Sequence, residues 1–187
     1  MAKRTEIYIL VDGIMTTNDN LLILGAGQYG QVAKEIAEST GLFGKIDFLD
    51  DNVENVVGSV ADYEKLAGKY SYAFVAIGNA DLRLAYIRAL EKSCFRIAVL
   101  ISPKAYVSQS AQIKQGSIVE PFAIVNSNSA VGEGTLICAG AIVNHNAVVG
   151  DACHLDCGSV VEANAVVPDK IKLGCNEVFS REGKILS

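Results

Sequence analysis

The chain contains two histidines, His145 and His154, nine residues apart in the string IVNHNAVVGDACHL. Imidazole is the side chain whose ordinary titration range suits it to carry a proton near neutral pH, so these two are the first candidates for chemistry. Asn146 follows His145 directly. Its amide can orient an imidazole by a hydrogen bond, but it cannot stabilise the protonated ring as a carboxylate does. Asp151 and Asp156 are the acidic residues close enough in sequence to take that part.

A second constellation lies far upstream. GAGQYG places glycines at 25, 27 and 30, after the apolar run LLIL and before QVAKEIAEST, which has helical periodicity. A G-x-G-x-x-G string carries meaning in this strand–turn–helix setting. The first glycine permits a tight turn, the second lets a backbone approach a phosphate, and the helix N-terminus favours negative charge. Gly25, Ala26 and Gly27 are therefore candidates to line a nucleotide site. Asp50 and Asp51 end the strand pattern IDFLDD, where a ribose or sugar hydroxyl could be held, and Gly78 ends YAFVAIGN. The alternative is a glycine turn that only packs a helix on a strand.

These groups need elements to place them. From Val107 to Val178 the chain repeats every six residues without insertion, and all twelve first positions are Val, Ile or Leu. The fifth position is Ala, Ser, Thr or Cys in the first ten hexads. Such a period specifies a left-handed parallel β-helix, three hexads to a triangular coil, with coils about 4.8 Å apart. The first and fifth positions point inward. His145, at the third position of VNHNAV, and His154, at the sixth of VGDACH, do not. The sixth position is aliphatic in Ile118, Ile124, Leu136, Ile142, Val148, Val160, Val166 and Val178. An outward apolar row of this kind marks an interface, and a three-sided column suits a threefold axis, so a homotrimer is expected. His154 interrupts the row at an edge expected to face a neighbouring subunit.

Residues 21–104 read as β-α-β-α-β-α-β, closing with the strand FRIAVLISP. This is a small Rossmann-like parallel α/β unit, half the size of a full dinucleotide fold, so a mononucleotide such as a nucleotide-sugar suits it better than NAD. The expected organisation is an N-terminal extension (1–20), the Rossmann-like nucleotide-sugar-binding domain (21–104) and the β-helix (105–187). Within the extension, YILV reads as an edge strand, or Met15 as the natural start.

Metal chemistry is the main competitor for the histidines. CHLDC offers Cys153, His154 and Cys157, but Cys153 occupies an inward slot and cannot converge with the others on one ion. A three-histidine zinc site, as in hydratases resembling the gamma carbonic anhydrases, would need a third histidine. No metal is expected. The net charge of −5 gives no basic footprint for nucleic acid. The longest apolar runs are too short to span a bilayer. Five cysteines without framework spacing suit a reducing, cytoplasmic setting.

Together, GAGQYG, the FLDD strand end, AIGN followed by an arginine-bearing helix, ISP and IVNHNAVVGDACHL resemble the sugar O-/N-acyltransferases of the sialic-acid and bacillosamine type, over residues 20–178. The resemblance implies that the first domain binds a nucleotide-activated amino sugar and that the column binds acetyl-CoA between subunits of a trimer. It implies a nucleotide-sugar site lined by Gly25, Ala26, Gly27, Asp50, Asp51 and Gly78. It also implies His145 as general base, Asn146 beside it where the family usually has an acidic residue, and His154 in contact with the acetyl thioester. The implied activity is acetyl transfer to the sugar amine. O-acetylation of a sialic-acid-type sugar and a non-catalytic trimeric sugar-binding scaffold remain open beside it. The family commonly continues with further hexads, whereas here the repeat decays at VPDKIK.

Overall fold

A computed structural model describes residues 19–187; the expectations for Met15 and YILV lie outside the described residues. Four parallel strands, β1 (Asn20–Leu24), β2 (Lys45–Leu49), β3 (Tyr72–Val75) and β4 (Arg96–Ile97), form a sheet in the order β2-β1-β3-β4. The helices α1 (Gln28–Thr40), α2 (Tyr63–Leu66) and α3 (Ala80–Lys92) connect them. Leu21 and Ile23 pack with Ala33, Ile36 and Ala37 of α1 on one face of the sheet. Leu22 and Leu24 pack with Ile87 and Leu90 of α3 on the other. Because both faces are covered, LLIL is apolar throughout rather than alternating.

The run 95–103, read from the sequence as one closing strand, is two. Arg96–Ile97 completes the sheet, whereas Leu100–Ile101 pairs with Ile118–Val119 in the column. ISPKAY (101–106) is thus a hexad too, with Ile101 and Ala105 packed in the column core. Its Ile101 runs on from FRIAVL, which conceals it in the sequence as the end of a strand.

The column has three parallel faces. The first stacks Leu100–Ile101, Ile118–Val119, Leu136–Ile137, His154–Leu155 and Lys172–Leu173. The second stacks Tyr106–Val107, Ile124–Val125, Ile142–Val143, Val160–Val161 and Val178–Phe179. The third stacks Gln112–Ile113, Ala130–Val131, Val148–Val149 and Val166–Val167. The fourth position of most hexads turns a corner in the left-handed region, as at Gly134 (φ 62°) and Asn146 (φ 57°), which explains why Gly and Asn recur there. One corner also explains the small polar fifth position. Ser117 Oγ donates to Gly132 O and accepts from Thr135 N–H, and Thr135 Oγ1 donates to Gly150 O and accepts from Cys153 N–H. Each hydroxyl satisfies backbone groups in the neighbouring coil that burial would otherwise strand.

The decay at VPDKIK does not end the column. Ile171 fills the small slot against the core, and Phe179 takes the next inward position at 3% exposure. Ile185–Leu186 then pairs antiparallel with Val178–Phe179, so the chain covers its own open edge on that face.

The α/β unit sits on the column through two helices. Through α1 it covers the first face, so Ile118 and Leu136 are 0% and 1% exposed in a shared core. This corrects the sequence reading, which assigned both to a subunit interface. The rest of the aliphatic row stays accessible on the second and third faces, with Val148 43% and Val166 66% exposed. Through α3 the unit runs along the corner between the third and first faces. A Cβ on Gly116 would lie 2.5 Å from Ile87 Cδ1, and one on Gly134 3.0 Å from the same atom.

Candidate active site

The sheet order reverses direction between β1 and β3, and ligands of parallel α/β sheets bind at the carboxyl ends of strands at such a point. Gly25–Gly27 and Gly78 follow those two strand ends. The three loop glycines have different reasons. Gly25 has φ 101°, and a Cβ there would lie 2.9 Å from Ala76 O. A Cβ on Gly30 would lie 2.1 Å from Gly25 O, so Gly30 lets α1 close onto the turn. Gly27 and Gly78 have nothing within 4 Å of a built Cβ. The chain's own packing does not require glycine at either, and both face open space.

Asp50 and Asp51 are tied to the backbone. Asp50 accepts from Ala26 N–H at 2.7 Å and from Asn52 N–H at 2.8 Å, and these bonds hold its carboxyl below the usual range. It braces the glycine turn against β2. Asp51 accepts from Val60 N–H at 3.0 Å and fixes the loop before α2. A sugar hydroxyl would have to use the lone pairs these bonds leave.

Arg83, which the sequence reading passed over as part of an arginine-bearing helix, joins the crevice to the column. It is 1% exposed. Its Nη1 donates to Ile77 O and Gly78 O at 2.7 and 3.0 Å, Nε to Gly134 O at 2.7 Å, and Nη2 to Ala152 O at 3.0 Å. The signal was present: Arg83 shares the buried stripe of α3 with Ile87 and Leu90, where a cation needs acceptors.

Two residues beyond Ala152, His154 sits half-buried on the first face between Leu136 and Lys172. It therefore borders its own α/β unit. Burial lowers its pKa, partly opposed by the Asp156 charge. Its Nε2 lies 3.4 Å from Cys138 Sγ. Cys138 is 4% exposed, and burial, with Glu120 nearby, pushes its thiol far up. Glu120 is 8% exposed and accepts from Ala139 N–H at 3.0 Å; burial raises its pKa. The buried hydroxyl of Tyr29, in the first turn of α1, lies beside Cys138 and Glu120, and burial followed by these two groups raises its pKa. Cys153, weighed from the sequence as a ligand beside His154, is 0% exposed in the column core; the neighbouring thiol is Cys138.

His145 and Asn146 stand elsewhere, on the exposed corner between the second and third faces. Asn144 Oδ1 accepts from His145 N–H at 2.9 Å, and Asn146 Nδ2 is 3.1 Å from His145 Nδ1. An open cleft of about 540 Å³ lies on this corner, lined by Asn144, Ala163, Asn164, Arg181 and Lys184 among others. Within one chain, then, Gly27, Gly78 and His154 share one side of the molecule and His145 with Asn146 another. The sequence order, which sets the histidines nine residues apart, concealed the turn of the prism between them.

Residues 20–90 match the family described as the PglD N-terminal domain. The fold is similar to the acetyltransferase domain of PglB from Neisseria gonorrhoeae, with a TM-score of 0.78 and 28% identity over 86% of this chain and 91% of that one. The same domain in complex with acetyl coenzyme A gives a TM-score of 0.75 and 25% identity over 90% and 100%. A histidine-to-asparagine mutant of the perosamine N-acetyltransferase from Caulobacter crescentus, in complex with CoA and GDP-perosamine, gives 0.69 and 23% over 90% and 97%, a likeness of fold. Among the described residues no helix is long and apolar enough to cross a membrane. Residues 20–90, which match the PglD N-terminal domain, thus precede a hexapeptide-repeat column, and the chain as a whole resembles the sugar N-acetyltransferases of the PglD, bacillosamine type.

Proposed function

We propose that this protein is an acetyltransferase that moves acetyl from acetyl-CoA to the amine of a nucleotide-linked amino sugar, a precursor of cell-surface glycan. The observation that carries the reading is the pairing, in one chain, of an open glycine loop, within residues matching the PglD N-terminal domain, with a column bearing an exposed His145–Asn146 pair. Likeness over 90% of the chain to an acetyltransferase domain in complex with acetyl coenzyme A supports it.

In this reading residues 21–104 hold the acceptor, its phosphates against Gly25, Ala26, Gly27 and Gly78 and its ribose or sugar near Asp50 and Asp51. The column holds the donor, and Arg181 and Lys184 offer cations to its phosphates. His145 takes a proton as the acceptor nitrogen attacks the thioester carbonyl, a backbone N–H steadies the oxyanion, and the CoA thiolate leaves as the tetrahedral intermediate collapses. Holding both substrates together removes any need for an acyl-enzyme. His154 contacts the thioester. Since the two histidines stand on different sides of one column, a site using both draws them from two chains. The apolar second and third faces support a homotrimer. Five free cysteines suit the cytoplasm.

The test is CoA thiol release with a panel of UDP-, dTDP- and GDP-linked amino sugars, with the product mapped by mass spectrometry. Acetyl on the amine of one acceptor is expected. No release with any of them, or acetyl found on a hydroxyl, overturns the reading.

A further inference from the structure

Three of the five cysteines and one of the two histidines gather at one corner of the column. Cys138 Sγ, an imidazole nitrogen of His154 and a carboxylate oxygen of Asp156 lie within 4.8 Å of one another. Cys157 follows Asp156, and Cys175 stacks one coil on, where Asn176 N–H donates to Cys157 O at 3.1 Å. The separation of Cys138 Sγ and His154 Nε2 is 3.4 Å. An ion bound tetrahedrally at ordinary zinc–sulfur and zinc–nitrogen distances holds such a pair about 3.5 Å apart.

We propose that this corner is a binding site for a thiophilic divalent cation of the zinc class, ligated by Cys138, His154 and Asp156 with a fourth position open. One soft thiolate, one imidazole and one carboxylate form a donor set that selects such ions over calcium or magnesium. Cys138 is buried at the base, while His154 and Asp156 are half-buried toward solvent, which leaves an access path. Asp156 Oδ1 accepts from Cys157 N–H at 2.8 Å, which orients the carboxylate, and the Cys175 thiol lies beside it. Glu120, beside Cys138, adds a further acid. On binding, the thiol proton leaves to solvent and the thiolate takes the ion. The Tyr29 hydroxyl lies beside Cys138 and Glu120. Lys172, next to His154 on the same face, opposes the ion's charge and tunes affinity downward. Resting on the functional reading above, the ion and the acetyl thioester compete for His154, so the site makes the enzyme sensitive to free zinc.

The full chain is titrated with cobalt(II), and the thiolate-to-cobalt charge-transfer band is followed in the near ultraviolet. A saturable band displaced by zinc is expected. It should vanish in Cys138→Ser and persist in the Cys157→Ser/Cys175→Ser double variant. Should Cys138→Ser fail to fold, Asp156→Asn on a folded chain should weaken cobalt binding by at least about tenfold, since lesser changes around metal ligands already have that effect. Absence of a band at millimolar cobalt overturns the proposal, as does a band that survives Cys138→Ser but is lost in the double variant. Acetyl-CoA should displace the cobalt. Cobalt that stays bound supports the metal site and removes His154 from the donor reading instead.

Discussion

Asn146 places its amide nitrogen 3.1 Å from Nδ1 of His145, from a corner position with φ 57°. An NH₂ group only donates, so this arrangement puts the ring proton on Nε2. Turned over, the amide presents Oδ1, accepts from Nδ1–H and leaves Nε2 free to take a proton. A carboxylate enforces the second arrangement; an amide permits both. Asn also suits the left-handed corner, which Gly and Asn fill at most other turns of the column.

His145→Ala should lower kcat by ~10²–10⁴-fold, the range for a positioned acid–base group. Folding should be unaffected, because His145 is exposed and its bonds run to neighbouring corner residues. Coexpressed His145→Ala and His154→Ala chains should regain part of the activity, since mixed assemblies contain intact sites formed between subunits. Sedimentation as a monomer at micromolar concentration would sink the shared site.

Asn146→Asp should increase turnover and move the acidic limb of kcat/KM to higher pH, because a carboxylate fixes the tautomer and stabilises the imidazolium. A pH profile identical to that of the parent would mean that Asn146 does not govern the base.

The repeat was legible because its first position is aliphatic in all twelve hexads and its fifth is small in ten, and the sheet because LLIL and YAFVAIGN are apolar beyond what a half-exposed strand would be. The hexad at 101–106 escaped because its Ile101 continues the apolar run FRIAVLI, so that Ser102-Pro103 reads as the end of a strand. The seating of α1 on Ile118 and Leu136 escaped because an apolar row states that something covers it, not what. Arg83, Glu120 and Cys138 matter through contacts between distant segments: Arg83 Nη2 reaches Ala152 O across 69 positions. A repeat period carries no trace of such pairings.

Gly27→Val and Gly30→Ala should separate binding from folding. A Cβ at Gly27 enters open space, so the variant should keep its stability within about 1 kcal/mol, the scale of a changed helix N-cap, yet lose nucleotide-sugar affinity. A Cβ at Gly30 would lie 2.1 Å from Gly25 O, so even this small change should destabilise by about 1–3 kcal/mol. Calorimetric binding and urea unfolding measure the two. Tight NAD binding abolished by Gly27→Val would reverse the assignment of the crevice.

Arg83→Met should destabilise by roughly 3–4 kcal/mol, because it removes charge-assisted bonds and leaves buried carbonyls unpaired. Arg83→Lys should recover less than half, since one ammonium cannot reproduce the fork that serves both Gly78 and Ala152. The Lys variant should also raise KM for the nucleotide-sugar more than for acetyl-CoA. Equal stability of the Met variant and the parent in urea would show that α3 is held to the column by apolar packing alone.

His154 should give the chain an acid-sensitive increment of stability. Its pKa is lowered in the folded chain, chiefly by burial, while the unfolded chain has the ordinary value of about 6.5. The unfolded state therefore binds the proton more readily, and stability rises with pH across this range. The increment is fully present above about pH 6.5 and is lost as pH falls through the depressed folded value. His154→Gln keeps a neutral amide in the same place and removes the titration. The urea midpoint of the parent should thus fall more between pH 7 and 5 than that of the variant, with other titrating groups cancelling in the comparison. Above the depressed value the imidazole is neutral, so acetyl-CoA affinity should be flat with pH near neutrality in the parent. Parallel pH dependences of the two urea midpoints would show that His154 titrates alike in both states and is not held by burial.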